Sequence, residues 1–403
     1  MRALTEAGRK IISFASGEIG LPALPVLADE LALSTRESAY GPVGGNPDML
    51  QAAAGYWTRR GLATGPNQLI AGPGTKPLIY AAISAMQGEV VVPQPSWVSY
   101  AVQAELAGKR VHRVPTRSTQ GGIPDPALLA DRIRSARSAG ADPRIVVVTI
   151  PDNPTGDVAS SDTLQDLASV ARELDLVIIS DEIYTDLVFE GTAPHPASFA
   201  PERTITTTGL TKSLALGGWR LGVLRTPATE FGARVHGAIK AVASQVWSSV
   251  AAPIQQAAVL AFNEPAEVRS WVSAARRLHQ GVTGTLAAAL SNIGADLPHP
   301  VATCYLYPSF DRLADKLAQH KQIHTSDELA KALLQHGIYC LPGNAFGDPP
   351  DRLTLRFSVS HLYGETAQEQ EESLKSHDPT TLPWVQEPIR RLEAALKTLM
   401  STD

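Results

Sequence analysis

The chain is poor in cysteine, contains no long apolar run and carries no strong charge of either sign. Its 403 residues include two cysteines, Cys304 and Cys340. They form no CxxC pair and stand near no paired histidines, which argues against a zinc or other metal site and excludes a disulfide framework. So few thiols in a chain of this length fit a reducing compartment. No apolar run reaches the ~18 residues that a membrane span needs. Residues 1–10 lack the apolar centre of a secretory signal, so the expected location is the cytoplasm. The formal net charge of -5 is too mild to imply a polyanion-binding surface. No internal repeat, basic segment or helix-turn-helix pattern is visible, and the 30 prolines and 31 glycines form no low-complexity tract.

What is present is an ordinary globular composition, 44% hydrophobic and 19% charged, with length for two or three domains and a sizeable core. Residues 69–71, 90–92, 144–150, 176–180 and 204–208 read as strands. Residues 48–60, 76–86 and 161–174 read as helices between them. Continuously apolar strands alternating with helices predict an α/β fold, its mostly parallel sheet covered on both faces. Residues 229–292 read as a long helical stretch, interrupted near 248–253. From residue 299 onward the character changes. Strand-like residues 302–307, a helix at 326–336, strands at 338–341 and 353–358, and a closing helix at 388–400 predict a small α+β domain. Residues 363–383 are polar and read as an inserted loop or short helix. Residues 1–10 read as a short helix or arm. The expected organisation is a segment at 1–40 belonging to the small domain, a large domain at 41–290, and the rest of the small domain at 291–403.

Chemistry in parallel sheets gathers at the C-terminal strand ends, and the unusual polar residues sit there. Lys212 lies among small, hydroxylated and apolar residues, eight positions before Arg220. Few charged neighbours favour a lowered pKa and carbonyl chemistry, although a lone lysine reads as a surface group. Asp181 directly follows an apolar strand, where a carboxylate is costly unless paired. Strand, Gly72-Pro-Gly74-Thr75 turn, then a helix starting at Lys76 aims backbone N–H groups at an anion. Trp97 is either a flat binding face or a core aromatic. Asn153, in Asn-Pro-Thr-Gly156, taken alone marks a turn. Together these are the parts of a pyridoxal-phosphate (PLP) site: a lysine for the aldehyde, an acid for the pyridine nitrogen, a phosphate cradle and a stacking face.

In this order, Ser-Trp97-Val-Ser-Tyr100, Asn153-Pro-Thr-Gly156, Ser-Asp181-Glu-Ile-Tyr184 and Lys212-x7-Gly-Trp-Arg220-x-Gly222 resemble the class I/II aminotransferases, of the fold type I PLP enzymes. The resemblance runs from about Gly17 to the C-terminus. It implies a seven-stranded large domain and a small domain. It implies that Lys212 holds the cofactor as a Schiff base and then shuttles the substrate's α-proton, while Asp181 pairs with the pyridinium. Tyr184 and Asn153 are implied donors to the 3-oxygen, and Trp97 stacks on the ring. Gly74, Thr75, Lys76, Thr211 and Arg220 surround the phosphate. Arg356 takes the substrate carboxylate, with Asn153 and Gly17 beside it. Tyr40 resembles the tyrosine that reaches the phosphate of a neighbouring subunit, implying a homodimer with shared sites.

Departures are also present. Gly209 stands where some members carry a phosphate-binding serine, with Thr208 or Thr211 as possible substitutes. Residues 302–304 replace a Gly-Ala-aromatic turn, and both they and the 363–383 insert are expected around the substrate pocket. Ala-Val-Ala-Ser-Gln245 offers no arginine where dicarboxylate-specific members place one. The leading reading is transfer of an amino group from an amino acid to a 2-keto acid by a ping-pong mechanism. Elimination, replacement, cyclisation or oxidation on the same cofactor stands beside it, as does a non-catalytic PLP-sensing domain.

Overall fold

The computed structural model describes residues 10–117 and 120–401. The arm expected at the N-terminus falls almost entirely outside them. Strand β1 (Ile12–Ser13) opens the described chain. Seven strands then build the principal sheet: β2 (Leu69–Gly72), β3 (Glu89–Gln94), β4 (Val111–Pro115), β5 (Pro143–Thr149), β6 (Val177–Asp181), β7 (Thr204–Gly209) and β8 (Gly222–Arg225). Their spatial order is β2-β8-β7-β6-β5-β3-β4. Strand β8 runs antiparallel to both its neighbours, and the remaining pairs are parallel. The fold is therefore α/β, with a mainly parallel sheet between helices.

The period-2 alternation of strand side chains explains why these strands read as unbroken apolar runs. Val91, Val146, Val148 and Ile178 pack on one face with Leu129, Ile133, Leu164 and Leu167 of the covering helices. Val90, Val92, Ile145, Val147 and Ile179 pack on the other with Leu78, Ile79, Val235 and Ile239. Both faces are dry, so neither can be polar. Side-chain caps start the helices crisply. Asn46 accepts from Asp48 N ahead of the helix Pro47–Arg59, and Ser160 accepts from Thr163 N ahead of Ser161–Glu173.

The expected helical stretch at 229–292 is three helices, Glu230–Val246, Ala252–Asn263 and Ala266–Ile293. The second break lies where Glu264 turns left-handed (φ 53) before Pro265. Beyond it lie β9 (Tyr305–Leu306), β10 (Ile338–Tyr339), β11 (Leu341–Pro342) and β12 (Leu355–Ser358). Strand β12 is central, with β11 and β9 antiparallel on its two sides. Strand β1 pairs in parallel with β10, Ile12 opposite Ile338. The N-terminal segment is thus woven into the C-terminal third.

Two expectations there need correction. The strand at 302–307 shrinks to two residues, because Thr303 turns left-handed (φ 63). The closing helix runs Pro383–Met400, starting five residues earlier than expected, with Pro388 inside it. A first-position proline suits a helix start. Buried Val385, Ile389, Leu392, Leu396 and Leu399 at three- and four-residue spacing outweigh the hydrogen bond that Pro388 forfeits. The 363–383 insert contains a helix, Ala367–Lys375, whose Thr366 and Glu369 form a reciprocal capping box. It is anchored on Tyr363, which is fully buried and hydrogen-bonded to His279 of the long helix. Ser373 Oγ donates to the Tyr363 carbonyl and accepts from Trp384 Nε1, both at 2.8 Å.

Candidate active site

Strands β5, β6 and β7 end side by side, and the turns after them face β9, β12 and the 15–18 segment. Between them lies a cavity of about 360 Å3. All the site residues expected from the sequence line it except Gly74 and Tyr40. Gly74 sits just behind the wall, at φ +96, where an added Cβ would come within 2.6 Å of an Arg220 nitrogen. Tyr40 lies outside the cavity and is 90% exposed.

Asp181 ends β6 at the cavity floor. Burial pushes its carboxyl up to about 6, against the pull of hydrogen bonds from Tyr100 and Thr207 and of the Lys212 charge. Tyr100 Oη donates to Oδ2 at 2.9 Å and Thr207 Oγ1 to Oδ1 at 3.0 Å. Tyr100 Oη also lies 2.6 Å from Thr149 Oγ1.

Lys212 follows β7, and its Nζ donates to the Gly17 carbonyl at 2.5 Å. Burial lowers its pKa and Arg356 adds to that, while Cys304, Asp181 and Glu18 oppose it. Arg356 reaches in from β12 and is 4% exposed. Its guanidinium donates to the Ala15 carbonyl and, at 3.2 Å, to Asn153 Oδ1. Its Nε is buried without a partner. Asn153 turns its other end toward Tyr184, Nδ2 to Oη at 3.4 Å.

At the opposite end of the cavity, the helix Thr75–Ala85 begins with its first-turn N–H groups unbonded within the helix. Arg220 lies across this terminus, donating to the Pro73 carbonyl at 3.1 Å. Trp97 forms the side wall, edge-on to Tyr100 at 5.1 Å between centroids, with Lys76 Nζ 4.9 Å from its ring centre.

The family profile described as aminotransferase class I and II matches residues 9–369. A probable aspartate/prephenate aminotransferase of Thermus aquaticus is 30% identical over 349 residues, covering 85% of this chain and 86% of that protein. An aspartate aminotransferase of Bacillus subtilis is 28% identical over 372 residues, 89% of each. A double mutant of the Thermus thermophilus aspartate aminotransferase superposes with a TM-score of 0.81 at 26% identity, covering 98% of this chain and 94% of that one. The chain belongs to the class I and II aminotransferases.

It is a PLP-dependent aminotransferase, and the residues present fit that cofactor. The helix terminus beside Arg220 suits a phosphate dianion. A buried acid held off its ordinary pKa by desolvation suits a cationic pyridine nitrogen. Arg356 brings a buried guanidinium to the cavity wall, a planar donor that suits a carboxylate.

Several cavity residues of this aminotransferase escaped the sequence reading. Tyr100 was in view as the last residue of Ser-Trp97-Val-Ser-Tyr100, in the first turn of the helix Ser99–Leu106 that follows Trp97. Thr149 and Tyr305 carried no local signal, nor did Thr207, an Asp181 partner outside the lining. Tyr305 Oη lies 3.0 Å from Tyr184 Oη, a contact made across 121 residues of chain. The structure also explains the departure at Gly209. A Cβ there would come within 2.6 Å of the Leu221 carbonyl and 3.0 Å of the Gly222 Cα, so β8 leaves no room for a serine. Of the two threonines that could substitute, Thr211 lines the cavity while Thr208 is buried in β7. The 363–383 insert contributes no lining residue. The expectation that it shapes the pocket is corrected: its anchor faces the long helix.

Proposed function

We propose that Lys212 is the lysine through which this enzyme transfers an amino group between an α-amino acid and a 2-keto acid. The observation that carries this reading is the convergence of Lys212, Asp181 and Arg356 on the lining of one cavity. Bound there, PLP supplies an electron sink for the charge left at the substrate α-carbon. Asp181 keeps the ring nitrogen protonated, and the cation in turn stabilises the Asp181 carboxylate. Tyr184 and Asn153 donate to the 3-oxygen, and Trp97 covers one ring face. Gly74, Thr75, Lys76, Thr211 and Arg220 hold the phosphate, chiefly through backbone N–H groups.

Arg356 takes the substrate α-carboxylate with its planar fork, beside Asn153 and Gly17. Lys212, its pKa lowered by burial, is then a neutral amine able to take the α-proton and hold it on Nζ for return. Tyr40 of the partner subunit completes each phosphate site, so the working unit is a homodimer. Pairing of Ile12 with Ile338 supports assigning residues 1–40 to the small domain with 291–403, around a large domain at 41–290. The two buried, unbridged cysteines fit the reducing cytoplasm.

Mixing holoenzyme with an amino acid in the absence of a keto acid tests the reading. The cofactor should be aminated once and stoichiometrically, and a 2-keto acid should restore it. Continuous turnover releasing ammonia, hydrogen peroxide or a substituted product would favour elimination, replacement or oxidation instead.

A further inference from the structure

We infer that Tyr305 is a positioning residue for Tyr184: its hydroxyl donates into the Tyr184 oxygen and so turns the single Tyr184 proton toward the cofactor's 3-oxygen. This rests on the site reading above.

The two phenol oxygens are 3.0 Å apart, and the rings meet edge to face at 5.6 Å between centroids. Taken as a pair, either hydroxyl could donate. The surroundings decide. Arg356 has donors only, so its bond to Asn153 Oδ1 fixes the amide orientation and points Nδ2 at Tyr184 Oη. The Tyr184 oxygen is therefore already an acceptor. Once its one proton is directed at an anionic 3-oxygen, the bond to Tyr305 survives only if Tyr305 donates.

The position of the Tyr305 hydroxyl is closely bounded. A Cβ on Gly17 would stand 2.8 Å from it, so the missing side chain at 17 leaves the hydroxyl its place. The charged and titratable groups around the two hydroxyls are Arg356 from β12, 4.7 Å from the Tyr305 ring centre, Asp181 at the end of β6, Lys212 after β7, and Cys304, whose thiol is hydrogen-bonded to Tyr305. Burial raises the pKa of both phenols, so both stay protonated through the neutral range.

An O–H that accepts a hydrogen bond is a stronger donor, by about 10–30% per bond. Tyr305 thus strengthens the bond from Tyr184 to the 3-oxygen. That bond stabilises the more anionic, deprotonated state of the lysine-bound cofactor, and so lowers the midpoint of its spectrophotometric pH titration.

The test is that titration on holoenzyme carrying Tyr184→Phe, Tyr305→Phe or both. Tyr184→Phe should raise the midpoint by about 1–2 pH units, and Tyr305→Phe by about 0.1–0.6 in the same direction. In the Tyr184→Phe background, Tyr305→Phe should add nothing. KM for the amino acid should hold in Tyr305→Phe, because the ring beside Arg356 remains. An unchanged or lowered midpoint in Tyr305→Phe overturns the inference, as does a shift that persists without the Tyr184 hydroxyl. No shift in Tyr184→Phe itself would instead sink the site reading, and the inference with it.

Discussion

Replacing Asp181 with asparagine should make the cofactor-free protein more stable at neutral pH while disabling the enzyme. The carboxyl is buried at the end of β6 and, without a cofactor, has two hydroxyl donors, the Ile183 backbone N–H and the distant Lys212 charge to offset desolvation. Burial raises it from 3.8 to about 6. At about 1.4 kcal/mol per pH unit, this is a penalty of roughly 3 kcal/mol once the group is ionised. The direction follows from proton counts. Between those two pH values the folded chain binds more protons than the unfolded one, so stability falls as pH rises through the window. Asparagine does not ionise and removes that slope. Its amide keeps a polar group opposite Tyr100 and Thr207, whose hydroxyls can rotate to meet it.

Chemical denaturation of both apoproteins from about pH 4.5 to about pH 8 should therefore show the variant gaining on the wild type by roughly 2 kcal/mol, most of it by about pH 7. With cofactor the order reverses, because the pyridinium is the partner that the carboxylate lacks, and kcat should fall at least about a hundredfold. Parallel stability curves for the two apoproteins would refute the account of Asp181 as a desolvated acid awaiting a cation.

Borohydride reduction of the holoenzyme and peptide mapping should find the pyridoxyl group on Lys212; a label on another lysine removes it from the centre of the mechanism. Arg356→Ala should weaken amino-acid binding by roughly 2–4 kcal/mol, the cost of leaving one side of a buried charged pair unpartnered, with PLP retained. Loss of cofactor at unchanged substrate affinity would make Arg356 structural. Sedimentation of the holoenzyme should give twice the 42.8 kDa chain mass, and a fully active monomer would contradict the role given to Tyr40. Tyr363→Ala should cost about 3–5 kcal/mol of stability, as for other fully buried aromatics, yet leave KM unchanged. A selective change in KM would return the insert to the pocket.

Much of the sheet was legible because both its faces are dry. Strands that must be apolar on both sides stand out as unbroken runs, and the polar residues that interrupt them mark strand ends. For the same reason Asp181, Asn153 and Lys212 were visible as candidates before any contact was known. The C-terminal third was less legible. Its strands are two to four residues long, too short for a period to register, and Pro388 signals a helix start that packing overrides.

The sequence by itself determined the α/β class, the order of the strand-end motifs and, through them, the family and cofactor, since each depends on local composition and on motifs contiguous in the chain. Only the tertiary structure decided where Gly17 and Arg356 meet the strand ends, why β8 excludes a side chain at 209, that the insert turns its back on the cavity, and that Tyr305 touches Tyr184. Each of these is a contact between segments far apart in sequence. The free energy of such a contact depends on distances of a few tenths of an ångström, which no local pattern encodes.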